Sequence, residues 1–233
     1  MVTLNELIYD LWEIVRPNIS DDDPFDKRQF AFWIKNQRAL WLRNELNKNR
    51  TIDDNVIQDL GCVELEVADR ADCCELSAGC KILRTKLTIP NTIELHNKTG
   101  LTRVAPIDKL SVPFSFVDYE RAIWSGNGRY NSSQIFAFLL NDRIYLSSKS
   151  NESLKYITHI NVRGVFEDPT EAAVFSHCDN TPCYTDDSAY PVNSWMIDYM
   201  KEAILKLNVG MALQAVNDTT NNAKPDNTNE PQQ

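Results

Sequence analysis

Hydrophobic positions divide the chain into helical ends and a β-patterned middle. Near the start, Leu4, Leu7, Ile8, Leu11, Trp12 and Val15 recur at the spacing of one helix face. Thr3 and Glu6 stand three apart ahead of that stripe, the pattern of a reciprocal capping box, and Pro17 ends the helix. The next run, "PFDKRQFAFWIKNQRALWLRNELNKN" at 24–49, holds no glycine and no internal proline. It predicts one helix of ~36 Å at 1.5 Å per residue, with Asp23 as N-cap, Pro24 at the first helical position and Asp26 in the first turn. Its apolar residues Phe30, Trp33, Ile34, Leu40, Trp41 and Leu42 are too many for a single narrow stripe. More than one face must be covered, by the rest of the chain or by another subunit.

From residue 62 the period changes. "CVELEV" alternates like a half-buried strand. "CKILRTKLTIP" and "TIELHNKTGLTRVAP" continue the β pattern, the second around an "NKTG" turn. "IFAFLLNDRIYLSS" predicts a hairpin with Asn141 and Asp142 at its turn, and "LKYITHINVRGVF" a further strand. Helix signals return at "EDPTEAAVF", where Asp168 caps and Pro169 begins a short helix. Asn193 or Ser194 then opens a last helix with Trp195, Tyr199, Met200, Ala203, Ile204, Leu207 and Met211 on one side.

This layout is α+β. The expected organisation is an N-terminal helical hairpin (1–61) and a mainly antiparallel β region (62–166). A short helix, a cysteine loop and a C-terminal helix (167–216) then complete a helical bundle with the first segment. The polar tail at 217–233 is expected to be disordered. No internal repeat is present.

Composition narrows the partners. The chain has 233 residues, 42% hydrophobic and 24% charged, the balance of an ordinary globular protein. No apolar run nears the ~20 residues that span a bilayer, and "MVTLNELIYD" lacks the order of a secretory signal. No membrane partner is expected, and a reducing cytoplasm is the expected setting, where six cysteines are metal ligands or free thiols. A net charge of −9 argues against gripping a phosphate backbone, which needs a concentrated basic surface.

The cysteines are the only candidate chemistry. Cys74 and Cys80 form a C-x5-C pair, Cys178 and Cys183 a C-x4-C pair, and His177 is a possible substitute ligand. Both spacings exceed those usual for zinc pairs, and adjacent Cys73 and Cys74 point to opposite sides of an extended backbone. Cys62, at a strand start, looks like a buried small hydrophobe. Free thiols closing two loops are therefore favoured over zinc, and no metal or other cofactor is expected. A cysteine nucleophile would need a base and an orienting group in space, which the neighbouring His177 does not by itself supply. Nucleotide-binding, zinc-protease and serine-hydrolase motifs are missing, and "SGNGRYN" at 125–131 reads as a tight turn. No catalytic residue is assigned. The alternative reading is a metal-binding or thiol-dependent cytoplasmic enzyme built on the cysteine loops.

The basic residues of the long helix, Lys27, Arg28, Lys35, Arg38, Arg43, Lys48 and Arg50, are interleaved with aromatics. That composition suits a protein–protein interface as well as nucleic acid, and the acidic total favours the interface. The candidates are Arg28, Trp33, Arg38, Trp41 and Arg43. Trp33 and Trp41 lie eight residues apart, close to one face that Arg38 and Arg43 flank.

Several long stretches carry a resemblance: "FAFWIKNQRALWLRNELNKNRTIDDNVIQDLGCVELEVAD", "CCELSAGCKILRTKLTIP", "SGNGRYN" and "IFAFLLNDRIYL". Through most of residues 25–165 the chain resembles virion structural proteins of the crAss-like short-tailed bacteriophages. The resemblance implies an adaptor-like ring protein at the head-to-tail junction, stacked beneath the portal as a dodecamer around the DNA channel. A helical bundle would face the portal, with a β region reaching outward. The implied partners are further copies of itself, the portal protein, other tail ring or hub proteins, and genomic DNA that passes without sequence-specific binding. The implied location is the virion neck, after assembly in the host bacterial cytoplasm. No catalytic residues are carried over.

Overall fold

The Thr3 N–H donates to Glu6 Oε2 (2.8 Å) and the Glu6 N–H to Thr3 Oγ1 (3.2 Å), the reciprocal capping box expected from the sequence. It opens α1 (Leu4–Val15), whose buried side is Leu4, Leu7, Ile8, Leu11 and Val15. The computed structural model describes residues 2–18, 25–48, 53–68, 82–96, 99–108, 110–150 and 154–210. Asp23, Pro24, the cysteines at 73, 74 and 80, Met211 and the tail lie outside them.

The second helix, α2 (Lys27–Asn47), begins later than its sequence pattern suggests. Asp26 is its N-cap residue, with extended backbone and no side-chain cap bond, rather than a first-turn residue. Phe30, Ile34, Arg38 and Leu42, four apart, form the buried side. That side meets α1, and also α4 (Ser194–Ala203), which Asn193 precedes as N-cap and a π-helical turn at Ile204–Val209 continues. Trp12, Phe25, Phe30 and Trp33 interlock mainly edge-to-face at 5.3–6.4 Å between ring centres. Asp10 pairs with Lys201, tying α1 to α4.

Among the described residues the β part is one eight-stranded sheet. Its strands are β1 (Gln58–Asp59), β2 (Val63–Val67), β3 (Leu83–Thr85), β4 (Leu101–Pro106), β5 (Ser115–Phe116), β6 (Phe136–Leu140), β7 (Arg143–Ser147) and β8 (His159–Gly164). They follow the order β1-β8-β2-β3-β7-β6-β5, with β4 on the other edge of β8. All pairings are antiparallel except β5 with β6. The β6–β7 hairpin turns at Asn141 (φ 49°) and Asp142 (φ 57°), left-handed positions that these two residue types tolerate. The stretch "TIELH" is not a strand: only Thr92 bridges to Phe166, so His96 lies outside the sheet. A short helix α3 (Tyr119–Ala122) lies against β6, with Tyr119 on Phe138 (5.9 Å).

Among the described residues two large hydrophobic clusters result. One joins α1, α2 and α4 with Ile93, Val165, Tyr190 and Val192. The other covers one side of the sheet, from Leu60 and Val63 to Val162, Phe166, Phe175 and Tyr184. Each fully buried Leu, Ile or Phe contributes about 1.5–3 kcal/mol. Asp168 accepts from the Thr170 N–H (2.9 Å) and starts a 3-10 turn at Pro169–Val174, as its sequence predicts.

Candidate interaction surface

Long helix α2 carries all five interface candidates, and its burial sorts them into different roles. Arg38 is fully buried inside the chain. Its Nε–H donates to the Pro191 carbonyl and its Nη1 to the Phe166 carbonyl, each at 2.7 Å, and its guanidinium stands 5.7 Å from the centre of the Tyr190 ring. Burial lowers its pKa to about 10, so the group stays protonated at neutral pH. Arg38 is therefore not a surface contact, which corrects the sequence expectation. It ties α2 to the chain after β8 and to the chain before α4. Basic composition cannot reveal this, because two main-chain carbonyls take the place of the expected partner.

Trp33 is half-buried against Phe25 and Phe30, and Trp41 is half-buried against Trp195 (6.5 Å) and Tyr199 (5.6 Å). Both spend much of their apolar area within the chain. Arg28 is exposed, with no ion pair among the described residues, and Arg43 is exposed 3.9 Å from Glu94. Among the side chains α2 turns outward, Arg28, Phe32, Asn36, Leu40 and Arg43 form one stripe, with Phe32 60% and Leu40 52% exposed. Phe32 is not among the five sequence candidates, and Leu40 stands in the sequence only as one of the apolar residues of the helix. The signal available was the four-residue spacing 28, 32, 36, 40. Phe32, Leu40 and Arg43 of this stripe line a groove together with Ile93, Glu94, Glu167 and the Lys35–Asp168 ion pair (2.7 Å).

The cysteines do something the spacing did not predict. Cys178 is joined to Cys62, 116 residues away, in a disulfide with its Cα atoms 5.2 Å apart, and not paired with Cys183. This corrects the expectation of free thiols at both positions. The backbone explains the meeting. Gly61 adopts φ 65°, and a Cβ there would lie 2.7 Å from the Ser176 carbonyl and 2.8 Å from the His177 Cα. Only glycine permits that approach. The Cys62 N–H then donates to the Ser176 carbonyl (3.0 Å), and the Asn161 amide holds the turn through Asp59 Oδ1 (2.6 Å). Cys183 is free and half-buried, and burial pushes its thiol up to about 11, away from thiolate chemistry. Cys74 and Cys80 lie outside the described residues. Among the described residues no three His, Cys, Asp or Glu side chains converge as a metal-ligand set, and no helix is long and apolar enough to cross a membrane.

Residues 6–228 match a family described as phage tail ring protein 2. The chain belongs to that family. It is a crAss-like phage ring protein, and the resemblance seen in its sequence holds along nearly its whole length. Its class is that of a virion structural protein of the tail. No curated relative matches it. For a tail ring protein the features that matter are surfaces that meet other chains, and of the five candidates Arg28 and Arg43 stand on the exposed stripe of α2.

Proposed function

We propose that this ring protein sits at the head-to-tail junction below the portal, as a closed ring of about twelve copies through which the genome passes. In this reading the helical segments, 1–61 and 167–216, act as one bundle toward the portal. The β region, 62–166, reaches outward toward further tail ring or hub proteins. It is a structural role without catalysis.

The observation that carries the reading is the outward face of α2 in a chain of the phage tail ring protein 2 family. A helix that buries Phe30 and Ile34 yet presents Phe32 and Leu40 to solvent keeps apolar area in reserve for another chain. Net acid charge supports the conduit role: a lumen with surplus carboxylates repels phosphate and lets DNA slide. Electron cryomicroscopy of the virion neck tests the proposal. A ring of this chain between portal and tail is the expected result. Absence of the chain from purified particles would overturn it.

A further inference from the structure

A ring of more than two copies cannot be built from one self-complementary patch. Each subunit must present two different surfaces, one for each neighbour, that fit each other. The helical layer offers such a pair. The outward arc of α2 holds Arg28, Gln29, Phe32, Asn36, Leu40, Arg43, with no carboxylate on it. The outward arc of α1 holds Asn5, Glu6, Tyr9, Asp10, Glu13 and Ile14, acidic within the helix, with Arg16 at its C-cap as the basic residue on that side. Tyr9 is 56% and Ile14 46% exposed, so this face also carries apolar area left open by the fold. Both arcs alternate large apolar side chains with charge, basic along α2 and net acidic along α1, where three carboxylates outnumber the one Arg16.

Within one chain those arcs do not neutralise each other. Glu6 closes the α1 cap, Asp10 pairs with Lys201 of α4, and among the described residues Glu13 has only Arg16, 3.8 Å away on its own helix. Arg28 has no ion pair among the described residues, and Arg43 reaches Glu94 at 3.9 Å. Among the described residues the two helices' polar sides are linked by Lys27, 4.0 Å from the Tyr9 ring centre.

We infer that the subunit contact is heterologous: the acidic, apolar face of α1 in one copy docks on the basic, apolar stripe of α2 in the next. The inference rests on the ring reading above and names the surfaces that reading needs. Phe32 and Leu40 would bury against Tyr9 and Ile14, giving the contact its apolar centre. The charges flanking that centre would fix its direction, because two like faces repel. Every copy thus uses one face toward each neighbour, and the chain of contacts ends only when the ring closes.

A charge-swap experiment tests it, with tagged chains supplied during infection and scored for incorporation into purified particles. Arg28→Glu/Arg43→Glu makes both faces acidic. Glu6→Gln/Glu13→Lys turns the α1 face toward basic while keeping an N3 side chain able to cap. Each variant alone should lose incorporation at least tenfold. The chain carrying all four substitutions should regain at least half of the wild-type level, because the two faces again differ in sign. Circular dichroism and melting of each purified chain show that it is folded. If the folded four-substitution chain stays as excluded as its parents, or either parent enters particles normally, the assignment of these faces is overturned while the ring reading stands. If the wild-type chain is itself missing from particles, the ring reading fails and this inference with it.

Discussion

Arg38 donates its Nε–H to the Pro191 carbonyl at 2.7 Å, joining the middle of α2 to the segment that leads into α4, 153 residues along the chain. Its second bond, to the Phe166 carbonyl, reaches the end of the β region. One side chain thus fixes the helical layer to the sheet. A planar, permanently charged fork suits this task, since it serves two carbonyls at once with little side-chain freedom left to lose.

Arg38→Ala should destabilise the isolated chain by about 3 kcal/mol or more, because it empties a buried volume and leaves two carbonyls without donors. Arg38→Met should cost less than Arg38→Ala: it fills most of the space and removes the expense of a buried charge, though not the loss of both hydrogen bonds. Urea unfolding of the three proteins checks the order. Equal stability of wild type and Arg38→Ala would show that the guanidinium holds nothing.

The Cys62–Cys178 bond closes a loop of 116 residues. In the chain-entropy account such a closure stabilises by about 5 kcal/mol. Reduction, or Cys62→Ser with Cys178→Ser, should therefore lower the melting temperature by roughly ten degrees for a chain of this size. Mass spectrometry of the unreduced, alkylated protein reads the bond directly. Two labelled cysteines at 62 and 178 in protein taken from particles would remove the basis of this prediction.

Local signals in the sequence were legible where a short window contains its own cause. The Thr3–Glu6 capping box, the Asn141–Asp142 turn and the Asp168 cap each need only neighbouring residues, and each forms. What depends on distant partners was hidden. The apolar residues of α2 lie on several faces, so periodicity alone could not say that Arg38 points inward while Phe32 points out. "TIELH" has the alternation of a strand, but it pairs with its neighbour only at Thr92, and the groove beside α2 claims Ile93 and Glu94. The disulfide joins residues so far apart that spacing carries no information about it. Its trace was Gly61, a glycine next to a cysteine, and that became meaningful only with the Ser176 carbonyl beside it.

Asp168 predicts a pH response. Burial pushes its carboxyl up, but hydrogen bonds from Lys35 Nζ (2.7 Å) and from the Thr170 hydroxyl and N–H outweigh burial and hold it below its ordinary value. A group depressed in the folded state stabilises fully above its unfolded pKa, near ~4, and loses that contribution as pH falls through the lower folded value. Lys35→Met should therefore melt below wild type at neutral pH, and the gap should shrink below about pH 4. Melting curves of both proteins between neutral and strongly acidic pH decide this. A gap that does not change with pH would mean that Lys35 acts through packing and not through the Asp168 charge.

The two sides of α2 can be separated by paired substitutions. Phe30 and Ile34 are buried at 0% and 1% exposure, packed with Trp12, Phe25 and Trp33, whereas Phe32 and Leu40 stand mostly in solvent. Removing a buried Phe or Ile side chain leaves a cavity and costs about 2–5 kcal/mol. Shortening an exposed apolar side chain changes the stability of the single chain by only about 0.5 kcal/mol in either direction. Phe30→Ala or Ile34→Ala should thus lower the unfolding midpoint sharply, and any loss from particles would follow from misfolding. Phe32→Ser with Leu40→Ser should leave the unfolding midpoint near wild type and yet reduce incorporation into virions, because the area removed is the area another chain is proposed to cover. Buried apolar anchors of an interface commonly cost ~2 kcal/mol or more when truncated, and a ring repeats that loss at every joint. Assembly should therefore respond far more steeply than folding does. Virions formed at normal yield with the Phe32→Ser/Leu40→Ser chain in place would show that this stripe faces solvent in the particle too, and the docking surface would have to be sought elsewhere on the subunit.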